Sequence, residues 1–222
     1  MAAKVISIEG NIGSGKSTLL SHLKQSLSAE NVSQIIFLQE PVDEWENIKD
    51  EQGNTMIQKF YGDQTKYSFS FQMMAYISRL ALLKKSIEEN PNAIVITERS
   101  LFTDKFVFAK MLYDSKKMES VEYQIYLRWF DNFVNDFPIN CTIYVKTDPN
   151  VCHARIAKRS RNGESTISLD YLNDCHKYHE SMMQVHADKD HNILELNGNL
   201  EISDMKDAWV KTLTEFITPP QN

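Results

Sequence analysis

Apolar positions along the chain fall into two kinds of run. Short, β-branched runs lie at Lys4–Glu9, Gln34–Gln39, Ala93–Thr97, Cys141–Lys146 and Asn192–Leu196, and each predicts a strand. Longer stretches with helical spacing lie between them. Ser17–Leu27 puts Leu19, Leu20, Leu23 and Leu27 on one face, and Phe69–Glu88 repeats its apolar positions at three and four. Strands alternating with helices predict an α/β fold: a parallel sheet of about five strands, covered by helices on both faces. The continuous apolar run Ile94-Val95-Ile96 reads as a central strand. Such sheets bind ligands beyond the carboxyl ends of their strands, so the residues that follow each strand matter most.

Composition narrows this picture. The 222 residues are 42% hydrophobic and carry no repeat, low-complexity tract or Pro/Gly-rich linker, which predicts one domain spanning 1–222. No stretch approaches the roughly 18 apolar residues that cross a bilayer, so no membrane partner is expected. The first strand-like run starts at Lys4, which leaves no room for a targeting segment ahead of it and predicts a cytoplasmic location. Cys141, Cys152 and Cys175 form no C-x-x-C pair and read as reduced, buried thiols. Cys175, His176 and His179 lie close together without a second ligand cluster, so no metal site is expected there. A net charge of −6 argues against a nucleic-acid partner. A small anionic ligand still fits if positive charge is concentrated locally.

Such a concentration follows the first strand. Gly10-Asn11-Ile12-Gly13-Ser14-Gly15-Lys16-Ser17-Thr18 fills the pattern G-x-x-x-x-G-K-[ST] and opens a leucine-periodic helix. Glycines let backbone N–H groups turn inward around phosphate oxygens, and the helix N-terminus adds partial positive charge. Lys16 can reach the β- and γ-phosphates, and the Ser17 hydroxyl can ligate Mg²⁺. The strand before and the helix after make this a P-loop, and the fold a P-loop NTPase-type three-layer arrangement. A guanine-reading N-K-x-D element is missing: Val145-Lys146-Thr147-Asp148 lacks the leading Asn, which sets a GTPase aside.

The other strand ends supply carboxylates and arginines. The second predicted strand ends in Glu40-Pro41, where a Pro-enforced turn places the carboxylate at the crevice. The third ends in Glu98-Arg99-Ser100. Arg155, Lys158, Arg159 and Arg161 then form a basic segment ending at Gly163. A lone charge run is usually a solvated helix face, but in an acidic P-loop chain it reads as a lid over phosphates, about residues 155–168.

These motifs, in this order, resemble the deoxycytidine/deoxyguanosine kinase branch of the deoxynucleoside kinases. The matching residues are the P-loop, Glu40-Pro41-Val42-Asp43-Glu44-Trp45, Tyr67–Gln72 leading to Ser78-Arg79, Glu98-Arg99-Ser100, Arg159-Ser160-Arg161-Asn162 and Leu169-Asp170-Tyr171-Leu172. They cover roughly residues 4–180. The resemblance implies transfer of the γ-phosphate of ATP, with Mg²⁺, to the 5′-hydroxyl of a deoxynucleoside. Glu40 would be the general base, a role suited to a neutral hydroxyl acceptor. Arg99 would hold Glu40 and the hydroxyl in register. Glu98 would bind Mg²⁺ alongside Ser17. Arg159 and Arg161, with Arg155 behind them, would close on the transferring phosphate.

The same resemblance assigns a substrate pocket. Phe71 and Phe108 would clamp the base, Gln72 would hydrogen-bond its edge, and Ile57 and Trp45 would complete the wall. Tyr61 and Glu164 would bind the sugar 3′-hydroxyl, with Tyr61 packing against a 2′-hydroxyl. The remaining aromatics Tyr67, Phe69 and Tyr76 read as core. Ala75, Arg79 and Asp104 stand where the thymidine-using branch carries valine, methionine and alanine. That difference implies deoxycytidine, deoxyadenosine or deoxyguanosine rather than thymidine. Two departures qualify the match. Gly163 replaces a second acid beside Glu164, and the adenine-contacting loop near Leu196-Asn197-Gly198-Asn199 matches weakly. A thymidylate-type monophosphate kinase and a non-enzymatic nucleotide-binding regulator are the competing readings. The family pairs as homodimers through helices, and Tyr123–Val134 could supply such a face or be internal core.

Overall fold

The computed structural model describes residues 3–29, 35–159, 164, 166–188 and 191–200, together with Trp209, Thr212, Leu213, Phe216 and Ile217. Five strands form one parallel sheet: β1 (Lys4–Glu9), β2 (Ile35–Leu38), β3 (Ile94–Glu98), β4 (Cys141–Lys146) and β5 (Asn192–Asn197), in the order β2-β3-β1-β4-β5. The chain leaves β1 first to one side and later to the other, so the C-terminal end of β1 lies at a switch point. The predicted strands are all present, with their ends displaced by one residue at most.

Helix α1 (Lys16–Ala29) covers one face of the sheet. Its Leu19, Leu20, Leu23 and Leu27 pack on Ile6, Ile8, Ile96, Ile143 and Val145, and Trp209, Leu213 and Ile217 join them. Two short helices follow β2, α2 (Val42–Asn47) and α3 (Met56–Gly62). Thr55 and Gln58 close a capping box at the start of α3. The long α4 (Gln64–Glu89) begins where Asp63 accepts from the Lys66 N–H, and it lies on the opposite sheet face with Leu83 against Val5, Val95 and Leu38.

After β3 comes a continuous helical segment in three parts: α5 (Leu101–Thr103), a π-helical stretch (Asp104–Ala109) and α6 (Lys110–Asp114). The widened turns are a local departure that recurs at functional sites. Then come α7 (Ser120–Phe133), α8 (Pro149–Arg159) and α9 (Leu169–Ala187), the last capped by Ser168. Met182 and Met183 of α9 pack with Val107 and Tyr144, so α4, the π-helical stretch and α9 together cover the second face. The helical layers on both faces and the parallel sheet match the three-layer expectation.

The three cysteines are free and buried. Among the described residues, no helix is long and apolar enough to cross a membrane, and no cluster of three or more His, Cys, Asp or Glu is arranged to hold a metal ion. The expected lid divides: Arg155 and Arg159 belong to α8, whereas Arg161 lies outside the described residues.

Candidate active site

The P-loop leaves β1 at Gly10 and is shaped by close approaches. Gly13, at φ +77°, faces the Cys152 carbonyl of α8 so closely that a Cβ would sit 2.7 Å from that oxygen. Three side-chain hydrogen-bonding groups, one from the loop itself and two from outside it, tie the loop to its surroundings. Asn11 Nδ2 donates to the Leu172 carbonyl at 2.9 Å, Thr147 Oγ1 donates to the Ser14 carbonyl at 3.1 Å, and Arg155 Nη1 donates to that same carbonyl at 3.3 Å. Arg155 also reaches the carbonyls of Gly198 (2.8 Å) and Leu200 (2.7 Å). Its guanidinium therefore links the P-loop to the segment after β5.

A cavity of about 290 Å³ extends from this loop into an aromatic pocket. Ile12, Gly13, Gly15, Lys16, Ser17 and Thr18 form its donor end. Gly10, Asn11 and Ser14 do not line it; the Asn11 side chain braces the loop instead. Every residue expected around the acceptor lines the cavity: Trp45, Ile57, Tyr61, Phe71, Gln72, Ala75, Arg79, Asp104, Phe108 and Glu164. Glu40, Glu98, Arg99, Arg155 and Arg159 line it as well. Val42, Phe60 and Tyr171 complete the wall and were not singled out from sequence. Phe60 could have been found in the aromatic crowding of residues 60–76, and Tyr171 in the Leu169–Leu172 motif.

Glu40 is held between two arginines. Arg79 Nη2 donates to its Oε1 at 2.9 Å, and Arg99 Nη1 donates to its Oε2 at 2.6 Å. Burial would raise the carboxyl, but Arg99 and then Arg79 outweigh it and hold the group at about 2. Arg99 takes up this position with a left-handed backbone, φ 62°, an uncommon conformation for a residue with a side chain. Its N–H donates to Ile8 and its carbonyl accepts from Thr97 Oγ1, bonds that fix the turn.

Arg79 joins three elements. Besides Glu40 on the β2 side, Nε donates to Asp104 Oδ2 at 2.9 Å and Nη1 to the Glu98 carbonyl at 2.9 Å. Burial pushes Asp104 up to about 6, against the pull of Arg79. The π-helical stretch directs both Asp104 and Phe108 to the cavity, and the Arg99 guanidinium lies over the Phe108 ring at 5.2 Å.

At the donor end, Ser17 Oγ donates to Glu98 Oε1 at 2.6 Å. A hydroxyl and a carboxylate meeting beside the P-loop give an oxygen-only donor set suited to a hard cation such as Mg²⁺. Lys16 Nζ donates to the Asn11 carbonyl at 2.7 Å, and burial, with Arg99 nearby, lowers its ammonium to about 7. A phosphate's negative charge would reverse that shift.

On the aromatic side, Phe71 stacks on Phe60 at 4.3 Å and meets Trp45 edge-on at 5.8 Å. Trp45 is fixed by Nε1 donating to Ser78 Oγ at 2.8 Å. Gln72 Oε1 is buried without a hydrogen-bond partner among the described residues. Tyr61 contacts Tyr171 edge-on, and Arg159 Nη2 donates to Glu164 Oε2 at 2.5 Å. One cavity thus joins a phosphate cradle, a carboxylate flanked by arginines and an aromatic slot.

The sequence matches the deoxynucleoside kinase family over residues 6–218. This chain belongs to the deoxynucleoside kinase family. It is 33% identical to a probable deoxycytidine kinase of fowlpox virus, covering 97% of this chain and 88% of that one. It is 34% identical to human deoxycytidine kinase, over 97% and 91% of the two chains. A mitochondrial deoxyguanosine kinase of Xenopus laevis is 29% identical over 82% of this chain and 74% of its own. The protein is accordingly a phosphotransferase, and neither a monophosphate kinase nor a non-catalytic regulator is favoured.

The shared arginine makes a test of how this deoxynucleoside kinase site is held. Arg79→Ala leaves two buried carboxylates without their common partner and should cost about 3–5 kcal/mol at neutral pH, read by denaturant unfolding. Asp104 has a folded value, about 6, above its ordinary 3.8. The stability linked to it is therefore full below about 3.8 and is lost as pH rises through about 6. Removing Arg79 raises Asp104 further, so the deficit of the variant should shrink on acidification from pH 7 to pH 5. A deficit independent of pH would contradict this account.

Proposed function

We propose that this deoxynucleoside kinase transfers the γ-phosphate of ATP to the 5′-hydroxyl of deoxycytidine, deoxyadenosine or deoxyguanosine in preference to thymidine. The observation that carries the reading is Glu40, gripped by Arg79 and Arg99 at the junction of the phosphate cradle and the aromatic slot. The names of the deoxycytidine and deoxyguanosine kinase relatives agree with it.

Glu40 accepts a hydrogen bond from the 5′-hydroxyl and aims its oxygen at the γ-phosphorus. A carboxylate held near 2 is a reluctant base early in the reaction. It receives the proton as the bond to phosphorus forms and the hydroxyl becomes acidic, which suits a loose transition state. Arg99 fixes the carboxylate and offsets charge developing on the phosphoryl group, and Lys16 does the same from the donor side. Arg159, at the C-terminal end of α8, and Arg161 close over the phosphates. Ser17 and Glu98 would hold Mg²⁺, which would neutralise charge on the triphosphate.

The base lies between Phe71 and Phe108 with Gln72 at its edge. Asp104 accepts from an exocyclic amino group, which thymine lacks, and the small Ala75 side chain leaves room beside it. Tyr61 and Glu164 bind the 3′-hydroxyl, with Glu164 steadied by Arg159. The whole chain acts as one domain, and its three free thiols suit the reducing cytoplasm. A second copy pairs with it through α7 and α4. Supporting this, Val121, Ile125 and Trp129 form an exposed apolar stripe at helical spacing, with Ile77 exposed on α4, while Tyr126 and Phe130 face inward.

Replacing Glu40 by Gln should lower kcat by roughly 10²–10⁴ while leaving ATP affinity close to wild type, and unchanged turnover would remove Glu40 from this role. Steady-state kinetics with the four deoxynucleosides should favour the three amino-bearing substrates over thymidine by about 100-fold or more in kcat/KM; thymidine use within a few fold of the others would sink the assignment. Analytical ultracentrifugation of Trp129→Glu should show half the mass of the wild type. A monomeric wild type, or a dimeric variant, would rule the stripe out as the interface.

A further inference from the structure

Glu9 has no part in the chemistry above, yet it sits where a carboxylate is costly. It is the last residue of β1, is fully buried, and lies in register with Tyr144 of β4. One of its oxygens accepts from the Thr103 hydroxyl. The other is buried with no hydrogen-bond partner, and no Lys or Arg among the described residues pairs with the group. Burying a carboxylate in this way costs several kcal/mol, which an apolar side chain would avoid.

Its position suggests what the carboxylate does. Glu9 is one peptide bond before Gly10, where the P-loop begins. Thr103, also fully buried, is one peptide bond before Asp104, where the π-helical stretch begins. From there Asp104 grips Arg79, which holds Glu40, and Phe108 faces Arg99, which holds the other oxygen of the same carboxylate. Widened helical turns occur mostly at functional sites, and here the residue just before them, Thr103, is tied to the strand that carries the donor loop. Misplacing reacting groups by about 1 Å can cost on the order of 100-fold in rate, so a rigid spacer between the two half-sites has a catalytic consequence.

We propose that the Glu9–Thr103 hydrogen bond is a positioning link that sets the acceptor wall at a fixed distance from the phosphate-donor loop. This rests on the acceptor-site reading given above. Glu9 acts as a hydrogen-bond acceptor here, so its shape and oxygen matter more than its charge.

The test compares Thr103→Val, Thr103→Ser, Glu9→Gln and the double variant Glu9→Met/Thr103→Val in the full chain. The measurements are kcat and KM for a deoxynucleoside, affinity for a non-hydrolysable ATP analogue, and thermal stability. Thr103→Val should lose about tenfold or more in nucleoside kcat/KM, mainly in kcat, with analogue affinity within about twofold of wild type. Thr103→Ser should restore activity, and Glu9→Gln should stay close to wild type because its amide oxygen still accepts. If Thr103→Val alone fails to fold, the double variant replaces both partners with matched apolar groups, which strands neither, and should show the same kinetic loss. Wild-type kinetics in that double variant, or a serine variant as impaired as valine, would overturn the link. A glutamine variant as impaired as Thr103→Val would also overturn it, by assigning the effect to charge. Asp104→Asn serves as the control: it should weaken nucleoside binding, and if it does not, the acceptor-site reading fails independently of Glu9.

Discussion

The site depends on one buried guanidinium shared among three segments that the chain keeps far apart. Arg79 reaches Glu40 after β2, the Glu98 carbonyl at the end of β3, and Asp104 in the π-helical stretch. Two carboxylates so close in a poorly solvated cavity repel each other, and one of them would tend to take up a proton. The fork of N–H donors on an arginine can hold both at once in fixed directions, which a lysine ammonium on a flexible stem cannot do. Arg99 then secures the second oxygen of Glu40, so the reactive carboxylate has no freedom to turn away.

The sheet that carries these groups is chemically two-sided. The face under α1 is apolar up to the strand ends, with Ile6, Ile8, Ile96, Ile143 and Val145 against a row of leucines, and turns polar only at Glu98 beside Ser17. The other face carries Ser7, Glu9, Thr97 and Thr142, all buried, and Ser7 Oγ lies 3.2 Å from Thr142 Oγ1. Hydrophobic burial on the first face supplies much of the driving force for folding. The second face spends part of that margin on buried polar groups.

The features legible in the sequence were those written in adjacent residues. Strands, the P-loop and the residues at each strand end follow from short-range pattern, because a parallel sheet turns the ends of its strands into one rim. The ten acceptor-side positions stand mostly on helices, not at strand ends, and are named in the sequence only through the family resemblance; the fold brings them together in one cavity. Contacts set by helix rotation and tertiary packing were less legible. The sequence marks Arg79 only as one of three positions that divide the family by base; its bonds to Glu40, the Glu98 carbonyl and Asp104 come from packing. Arg155, grouped with the phosphate-binding arginines, lines the cavity and also braces the P-loop against the segment after β5, a second contact that a charge run does not reveal. Nothing in Asp104-Lys105-Phe106-Val107-Phe108-Ala109 signals a widened helix. Glu9 was hidden inside an apolar run, since a strand-forming pattern tolerates one acid at its end.

The braces on the P-loop have a thermodynamic consequence. Asn11, Thr147 and Arg155 hold its backbone from three directions, through α9, the turn after β4 and α8 respectively. The conformational entropy of curling the loop is therefore surrendered during folding, not when a triphosphate arrives. Electrostatic attraction between the loop and a phosphate chain can then appear almost entirely as affinity. It also follows that loosening a brace far from the ligand would weaken nucleotide binding without removing a single contact to it.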